Sequence, residues 1–596
     1  MKTLHKLFSR PYLTLLWTLV ILVLTLTPAA DMPVTPAWKL LSFDTAAHAG
    51  VFAVLAALAY PWVQTWAVRP RMLVLLGAVA LGALIEVLQY VMHLGRHAEW
   101  SDLLSDSIGI VLALLLIGVG RRRLAASASL LLACLAAQAQ PAAPRAPDAP
   151  DLTRARHTIE ALAAPQMHGR GYVQGGEHLA AAYLRNRLRG LGLAPLAPDY
   201  TQPFTLDVNT FPGEVELELA PSQKSSKPTK LLAGTDFIVS PESAGTPMHP
   251  VHAFYVMLDS ATFTSSEKQQ ELRAAIEVMQ LIVAKQRQAR KDTFLTFVVL
   301  SARDEQRLFQ LPNSLLAQLD AIPNRIVLKS KLTASLASKV ASGIHIEALN
   351  KPALWELPMR ANPIKSNFGS FVLRLDAQLL RNYQTQNLAA VVRGSVQPDS
   401  FLVVSAHYDH LGMMGKDTYF PGANDNASGV ALLLELAAYY ARPENRPACS
   451  VAFLLFGAEE AGLVGSSYFV QHPLLPLPRI KFLVNLDLLG TGEEGATVVN
   501  GRVYEAAYQR LATLNEAHHY LPKLTARGRA ANSDHFPFSE AGVPAFFMYT
   551  RGGSLAYHDV RDQPAALSLA GFAGAYGLVR DFLNQQGARP AKSPDR

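Results

Sequence analysis

The sequence predicts two fold classes in succession: an α-helical polytopic membrane domain, then an α/β domain with a mixed central sheet flanked by helices and interrupted by an inserted irregular α+β region. Three observations predict this. Of the 596 residues 50% are apolar, mean hydropathy is positive, and the excess is concentrated before residue 140. Downstream, β-branched apolar runs of strand length alternate with stretches of helical spacing, the pattern of an α/β sheet. Between residues 207 and 382 that alternation becomes irregular.

The first block, residues 1–123, holds four candidate spans: Pro11–Pro28, Ala46–Trp66, Met72–Met92 and Leu103–Gly120. Each is long or nearly long enough to cross a bilayer. Basic clusters at Lys2, Lys6 and Arg10, at Arg69 and Arg71, and at Arg121, Arg122 and Arg123 fall on one side of the spans. The positive-inside rule makes that side cytoplasmic. With Leu124–Ala139 as a shorter fifth span, everything after Gln140 lies beyond the membrane. The expectation is a multi-pass cytoplasmic (inner) membrane protein, partnered by the lipid bilayer, with its α/β domain on the extracytoplasmic side. Ionisable groups beside spans are costly and mark function, so Asp44, His48 and Glu86 form a candidate polar site within the bundle; snorkelling to the interface is the competing reading. With Asp44, His48, Glu86, Gln89, Arg96, Asp102 and Gly109, residues 8–120 resemble a VanZ-like membrane domain, departing from it at Asp106, where that family shows Asn.

Residues 124–151 come next. A basic start, an apolar middle and Ala137-Gln138-Ala139 read as a fifth span or as a cleaved signal-like segment, and Leu131-Leu132-Ala133-Cys134 reads as a lipoprotein box. Pro141–Pro150 is an Ala/Pro-rich tether. Glu177–Leu191 has helical spacing and stops at Gly192. Within 207–382, Glu214–Leu219 and Phe294–Leu300 read as strands and Ser266–Arg290 as a helix. No metal-site motif falls there, and the region either shapes a substrate pocket as a lid or pads the fold.

The chemistry is concentrated between Val403 and Asp562, where five short motifs each follow a predicted strand or turn. The buried strand Phe401–Val404 delivers His407 and Asp409; His407 offers one ring nitrogen to a metal, and Asp409 accepts the other ring N–H and fixes the tautomer. Pro421–Asn426 is a constrained turn before a helix over Ala427–Tyr440, a corner where Asp425 can bridge two cations and where an unusual peptide bond is expected. The strand Ser450–Phe456 ends in Glu459-Glu460, whose side chains diverge, so one binds metal while the other serves as general base. Ile480–Leu486 delivers Asp487, and Pro544–Tyr549 is followed by Tyr557-His558. Singly, each of these residues is more often a turn former, helix cap or structural histidine. Together they supply imidazoles and carboxylates for two adjacent divalent ions.

In His407–Gly412, Gly422–Gly429, Phe456–Ser466, Asn485–Asp487 and Tyr557-His558 the chain resembles the M28 family of dizinc aminopeptidases, closely from Asn387 onward and loosely from residue 152. The resemblance implies that Asp425 bridges both ions, that His407 and Asp487 complete one site, and that Glu460 and His558 complete the other. Glu459 is then the general base. Asp409 is placed behind the ligands, and Asp562 either stands there too or is an ordinary loop-to-helix cap. It implies two Zn²⁺, with Mn²⁺ or Co²⁺ able to fill such thiolate-free sites, and peptides as substrates. Ser533-Asp534-His535 resembles a family element near the cleft, which Tyr549, Arg551 and Tyr557 help to line. Two alternatives are carried: a glutaminyl-cyclase-like relative, and a non-catalytic module binding peptides or cell-wall fragments.

The expected domains are therefore 1–123, 124–151, a zinc aminopeptidase-like domain over 152–206 and 383–590, and an insert over 207–382. A net charge of +7 without basic runs or aromatic platforms argues against nucleic acid. Nothing in the sequence calls for an obligate protein partner. Cys134 and Cys449 are the 2 cysteines, so no disulfide framework is expected.

Overall fold

The computed structural model describes residues 11–26, 43–65, 67–92, 105–107, 109–111, 113–114, 149–220, 227–246, 250–288, 294–351, 355 and 368–587. They fall into two compact units, Met1–Arg145 and Ala146–Arg596.

In the first unit, helices Pro11–Leu26, Phe43–Val63 and Pro70–Met92 bury Ile21, Phe52, Leu55, Val74, Ala78 and Ile85 against one another. Trp17 Nε1 donates to the Val51 carbonyl at 3.1 Å. Among the described residues no helix is long and apolar enough to cross a membrane. This corrects the expected polytopic membrane domain and the multi-pass localisation, and the VanZ-like resemblance finds no support. The reason lies in the difference between an apolar stretch and an apolar helix. Pro11–Leu26 has 16 residues and rises about 24 Å, against about 30 Å of hydrocarbon. In Pro70–Met92 the charge-free run between Arg71 and Glu86 rises only about 21 Å. Phe43–Val63 carries Asp44 and His48 near its start and Pro61 near its end. The side chains of Asp44, His48 and Glu86 lie outside the described residues, as do Leu124–Ala139 with Cys134 and most of Leu103–Gly120.

The second unit is built on a nine-stranded mixed sheet. Its centre is four parallel strands in the order Cys449–Phe456, Gln397–His407, Ile480–Leu486, Ala545–Arg551. Antiparallel strands flank them: Gln378–Val392 on one side, Gly495–Val499 on the other. Successive side chains of a strand point to opposite faces. Leu402, Val404 and Ala406 accordingly pack with the helices Leu152–Ala163, Gly176–Gly190, Gly429–Tyr440 and Phe572–Gly587, while Phe401 and Val403 pack with Phe469, Leu475 and Phe538 beneath. Every residue of Cys449–Phe456 is buried, as a parallel strand covered on both faces requires. Register sets the site: His407 pairs with Phe456, Ser405 with Asn485, and Leu486 with Met548, so the C-terminal ends of the parallel strands share one edge. Ligand sites of open α/β sheets lie at that edge.

Residues between 215 and 375 form a second, eight-stranded sheet. Four of its strands, Val251–Met257, Leu295–Ser301, Asn324–Lys329 and His345–Leu349, run parallel side by side. Helices Ser266–Gln288 and Asn313–Asp320 cover one face. The insert is thus α/β in character where the sequence reads as irregular, because its strands are short and its loops long. Its other face shares a core with Leu411, Met414 and Phe420, which belong to loops of the first sheet. The ribbon of Thr201–Thr210 and Gln378–Val392 runs between the two sheets with a bulge between Leu380 and Tyr383. There the Asp207 carboxylate accepts the Asn382 N–H at 2.8 Å.

Candidate metal centre and active site

The edge of the first sheet gathers the predicted ligands around Asp425. His407 Nε2 lies 3.3 Å from Asp425 Oδ1 and 3.4 Å from Asp487 Oδ1. On the far side, Asp425 Oδ2 lies 3.1 Å from His558 Nε2, which is also 3.1 Å from Glu460 Oε2. Asp425 therefore presents one oxygen to each of two imidazoles. It sits in the turn before Gly429–Tyr440, and its peptide bond to Asn426 is cis. Gly422 opens that turn at φ 58, where a Cβ would lie 2.2 Å from the Asp425 carbonyl and 2.4 Å from the His410 ring. No other residue fits there.

The neighbours hold these side chains in place. Asp562 accepts the backbone N–H groups of Asn424 at 2.9 Å and Asp425 at 3.0 Å, clamping the turn from outside. Asp409 differs in detail from expectation. Its carboxylate accepts the N–H groups of Glu459 at 3.1 Å and Glu460 at 3.4 Å, and it is the Asp409 carbonyl, at 3.2 Å, that lies nearest His407 Nδ1. The carboxylate oxygen is 3.8 Å from that nitrogen. One aspartate thus ties the His407 strand to the glutamate corner. Ser533 donates to Asp487 Oδ2 at 2.8 Å and accepts from Asn485 Nδ2 at 2.8 Å, and Ser405 donates to Asn485 Oδ1 at 2.7 Å. This relay fixes one Asp487 oxygen and leaves the other, Oδ1, buried without a hydrogen-bond donor. His535 is buried with its ring against Phe547, and Tyr557 stacks on His558 at 3.8 Å. Tyr549 accepts from Arg527 at 3.1 Å, and Arg551 Nη2 reaches the Glu494 carbonyl at 3.4 Å.

Three features escape sequence reasoning. Arg170 is fully buried, and its guanidinium donates to the carbonyls of Leu162, Tyr408, Pro421, Gly422 and Asp425 at 2.7–3.0 Å. It clamps the loop after His407 to the Asp425 turn, yet in sequence Gly169-Arg170-Gly171 looks like any surface arginine between glycines. His410, also buried, puts Nδ1 2.6 Å from Glu460 Oε1. It lies within His407–Gly412, where His407 is the expected ligand and draws the eye from it. The third is Ala334 of the insert, whose carbonyl lies 2.8 Å from His558 Nδ1.

Electrostatically the cluster is short of positive charge. Burial pushes Asp409 and Asp534 up to about 7, with the His407 imidazole opposing it in both. Burial holds Glu459 well above the usual carboxylate range, assisted by Asp534, Glu460 and Asp487 and opposed by His407. Burial disfavours charge on His558, but Glu460 and Asp425 overcome it and push the ring up to about 11. Glu460, despite burial, is drawn down to about 2 by His558 and His410. The imidazoles thus take up protons where a divalent cation would supply the same charge and displace them. Buried carboxylates that lack partners are costly. Among the described residues, the ligand atoms of His407, Asp425 and Asp487, and those of His410, Asp425 and Glu460, all lie within 4.8 Å of one another. The orphaned Asp487 oxygen and this N/O donor set without thiolate fit a metal pair that shares Asp425.

An α/β sheet with such a cluster at its strand ends carries the groups to hold metal ions. Residues 387–583 match the family described as Peptidase family M28. That match lies in the C-terminal part of the chain. In sequence it is 32% identical over 174 residues to Aminopeptidase YwaD of Bacillus subtilis, covering 28% of this chain and 36% of that protein. It is 32% identical over 177 residues to an aminopeptidase of Pseudomonas aeruginosa, covering 28% and 31%. The chain spans about a third of the length of these relatives. Among solved structures, the Peptidase M28 precursor of Shewanella amazonensis superposes with a TM-score of 0.52 at 16% identity, over 73% of this chain and 93% of that one. BSAP, a zinc aminopeptidase from Bacillus subtilis, gives 0.50 at 20% identity over 74% and 96%. At these identities the structures attest the fold.

Proposed function

We propose that this domain is a two-zinc aminopeptidase that hydrolyses the N-terminal bond of peptides, with 152–206 and 383–590 as its catalytic part and 207–382 as an insert. The single observation that carries the reading is the carboxylate of Asp425 set between two imidazoles, Oδ1 towards His407 at 3.3 Å and Oδ2 towards His558 at 3.1 Å. His407, Asp425 and Asp487 would hold one ion, and Asp425, Glu460 and His558 the other. Bound zinc supplies an acidified water and a Lewis acid for the scissile carbonyl. The chain's own residues do the rest. Glu459, on the corner pinned by Asp409, receives the proton of the attacking water. The same carboxyl then returns the proton to the leaving amine, so no net proton is left on the enzyme. His410 holds Glu460 by one oxygen, leaving Oε2 towards His558.

The test is Glu459→Gln assayed on aminoacyl-anilides, with zinc content measured in parallel. We expect zinc retained and kcat reduced by roughly 10²–10⁴-fold. Retained hydrolysis would remove the assigned base. Glutaminyl peptides serve as the second substrate: cyclisation without release of N-terminal residues assigns the site to a glutaminyl-cyclase-like reaction instead. A module that only binds peptides would show no hydrolysis to lose.

A further inference from the structure

The second sheet makes a contact that padding does not explain. His558 has φ 56, the left-handed region that costs a residue with a Cβ roughly 1–2 kcal/mol, so its conformation needs support from outside its own loop. That support comes from residue 334, 224 positions earlier. His558 Nδ1 meets the Ala334 carbonyl at 2.8 Å, and the Ala334 N–H donates to the His558 carbonyl at 3.2 Å. A carbonyl only accepts, so Nδ1 must carry the proton. Once a cation displaces the proton on Nε2, that atom carries the ring's lone pair, and it is this atom that faces Asp425 and Glu460.

Ala334 is itself fixed. It belongs with Leu332 to the buried core of the insert, in the cluster that also holds Leu411, Met414 and Phe420. Two further contacts seat the His558 loop on the insert. Lys331 Nζ donates to the Leu555 carbonyl at 2.8 Å, and a Cβ added at Gly234 would lie 2.6 Å from Val560 Cγ1.

We infer that the inserted sheet is a working part of the metal centre: the Ala334 main chain sets the tautomer and orientation of His558, so loading of the half-site made by His558 and Glu460 is coupled to ordering of the 332–336 segment. The inference rests on the two-metal reading. By linkage, whatever orders the segment favours the ion, and the ion orders the segment.

Hydrogen exchange on the full chain tests it, comparing protein stripped by chelator with protein reloaded with Zn²⁺. Amides of 332–336 and 556–560 should slow at least tenfold on reloading, while those of Leu295–Ser301 in the same insert stay unchanged. In His558→Ala the zinc-dependent protection of 332–336 should vanish although the His407 half-site still loads and protects its own loop. A reloaded, hydrolytically active protein whose 332–336 amides exchange at the stripped rate would overturn the coupling and leave the two-metal reading intact. Failure to take up zinc at all would overturn the metal reading and the coupling with it.

Discussion

Arg170→Met is the substitution that separates geometry from charge at this centre. Methionine fills similar volume but donates nothing, so the carbonyls of Leu162, Tyr408, Pro421, Gly422 and Asp425 lose that donor, Gly422 retaining the Ala427 N–H at 3.3 Å. Each unpaired group costs about 1–3 kcal/mol. Relief of the guanidinium's own desolvation, the burial that draws Arg170 down to about 10, offsets part of that. A net loss of about 3–5 kcal/mol in folding stability remains, comparable to breaking other buried ionic networks. The effect on metal binding has two opposed parts. Removing a positive charge beside Asp425, Asp562, Asp409 and Glu460 by itself favours a cation. Removing the clamp frees the His407 loop from the Asp425 turn, and preorganisation of ligands is commonly worth tenfold to a hundredfold in affinity. Of the two, loss of the clamp is expected to outweigh loss of the charge. Urea denaturation of stripped protein gives the first quantity and zinc competition titration the second. Arg170→Lys, with the charge but without the planar fork, should fall between parent and Arg170→Met in both. Zinc binding that is unchanged or tighter in Arg170→Met would refute the reasoning.

Two further outcomes follow from the same geometry. Ser533→Ala breaks the relay that fixes one Asp487 oxygen, so affinity for one of two ions should fall roughly tenfold with the other unaffected, read by the two-step zinc titration. Glu177, buried beneath Tyr408, is pushed by burial from 4.5 up to about 7, against hydrogen bonds from Tyr383, Thr385, Gln386 and Tyr408 that lower it. The folded protein then keeps a proton that the unfolded chain releases above about pH 4.5. Its contribution to stability is therefore full at low pH and is lost as pH rises from about 4.5 through 7, by up to about 3 kcal/mol. Glu177→Gln should flatten that fall in urea melts across the interval, and an unchanged slope would assign the proton elsewhere.

What the sequence disclosed and what it concealed divide along physical lines. Strand-end ligands are legible because apolar runs such as Ser450–Phe456 fix a strand, and the polar residues just beyond it can only lie at the sheet edge. His407, Asp425, Glu460, Asp487 and His558 come together on that logic, within 3.4 Å contacts of their neighbours. Arg170, His410 and Ala334 stay hidden because their work is done through backbone carbonyls or through a ligand already counted, and such contacts carry no sequence spacing. The insert reads as irregular since strands as short as Phe237–Val239 and Thr229–Leu231 give period-2 alternation too little length to register. The first unit misleads for the opposite reason. Leucine-rich runs score as spans, but helix ends, Arg71, Glu86 and Pro61 cut the continuous apolar helix short.

The most direct measurement of the central claim is anomalous X-ray scattering at the zinc edge from crystals of the reloaded protein. Two peaks per chain about 3.5–4 Å apart are expected, with Asp425 between them, one beside His407 and Asp487 and the other beside Glu460 and His558. A single peak, or peaks that leave Asp425 bound to one ion only, would contradict it.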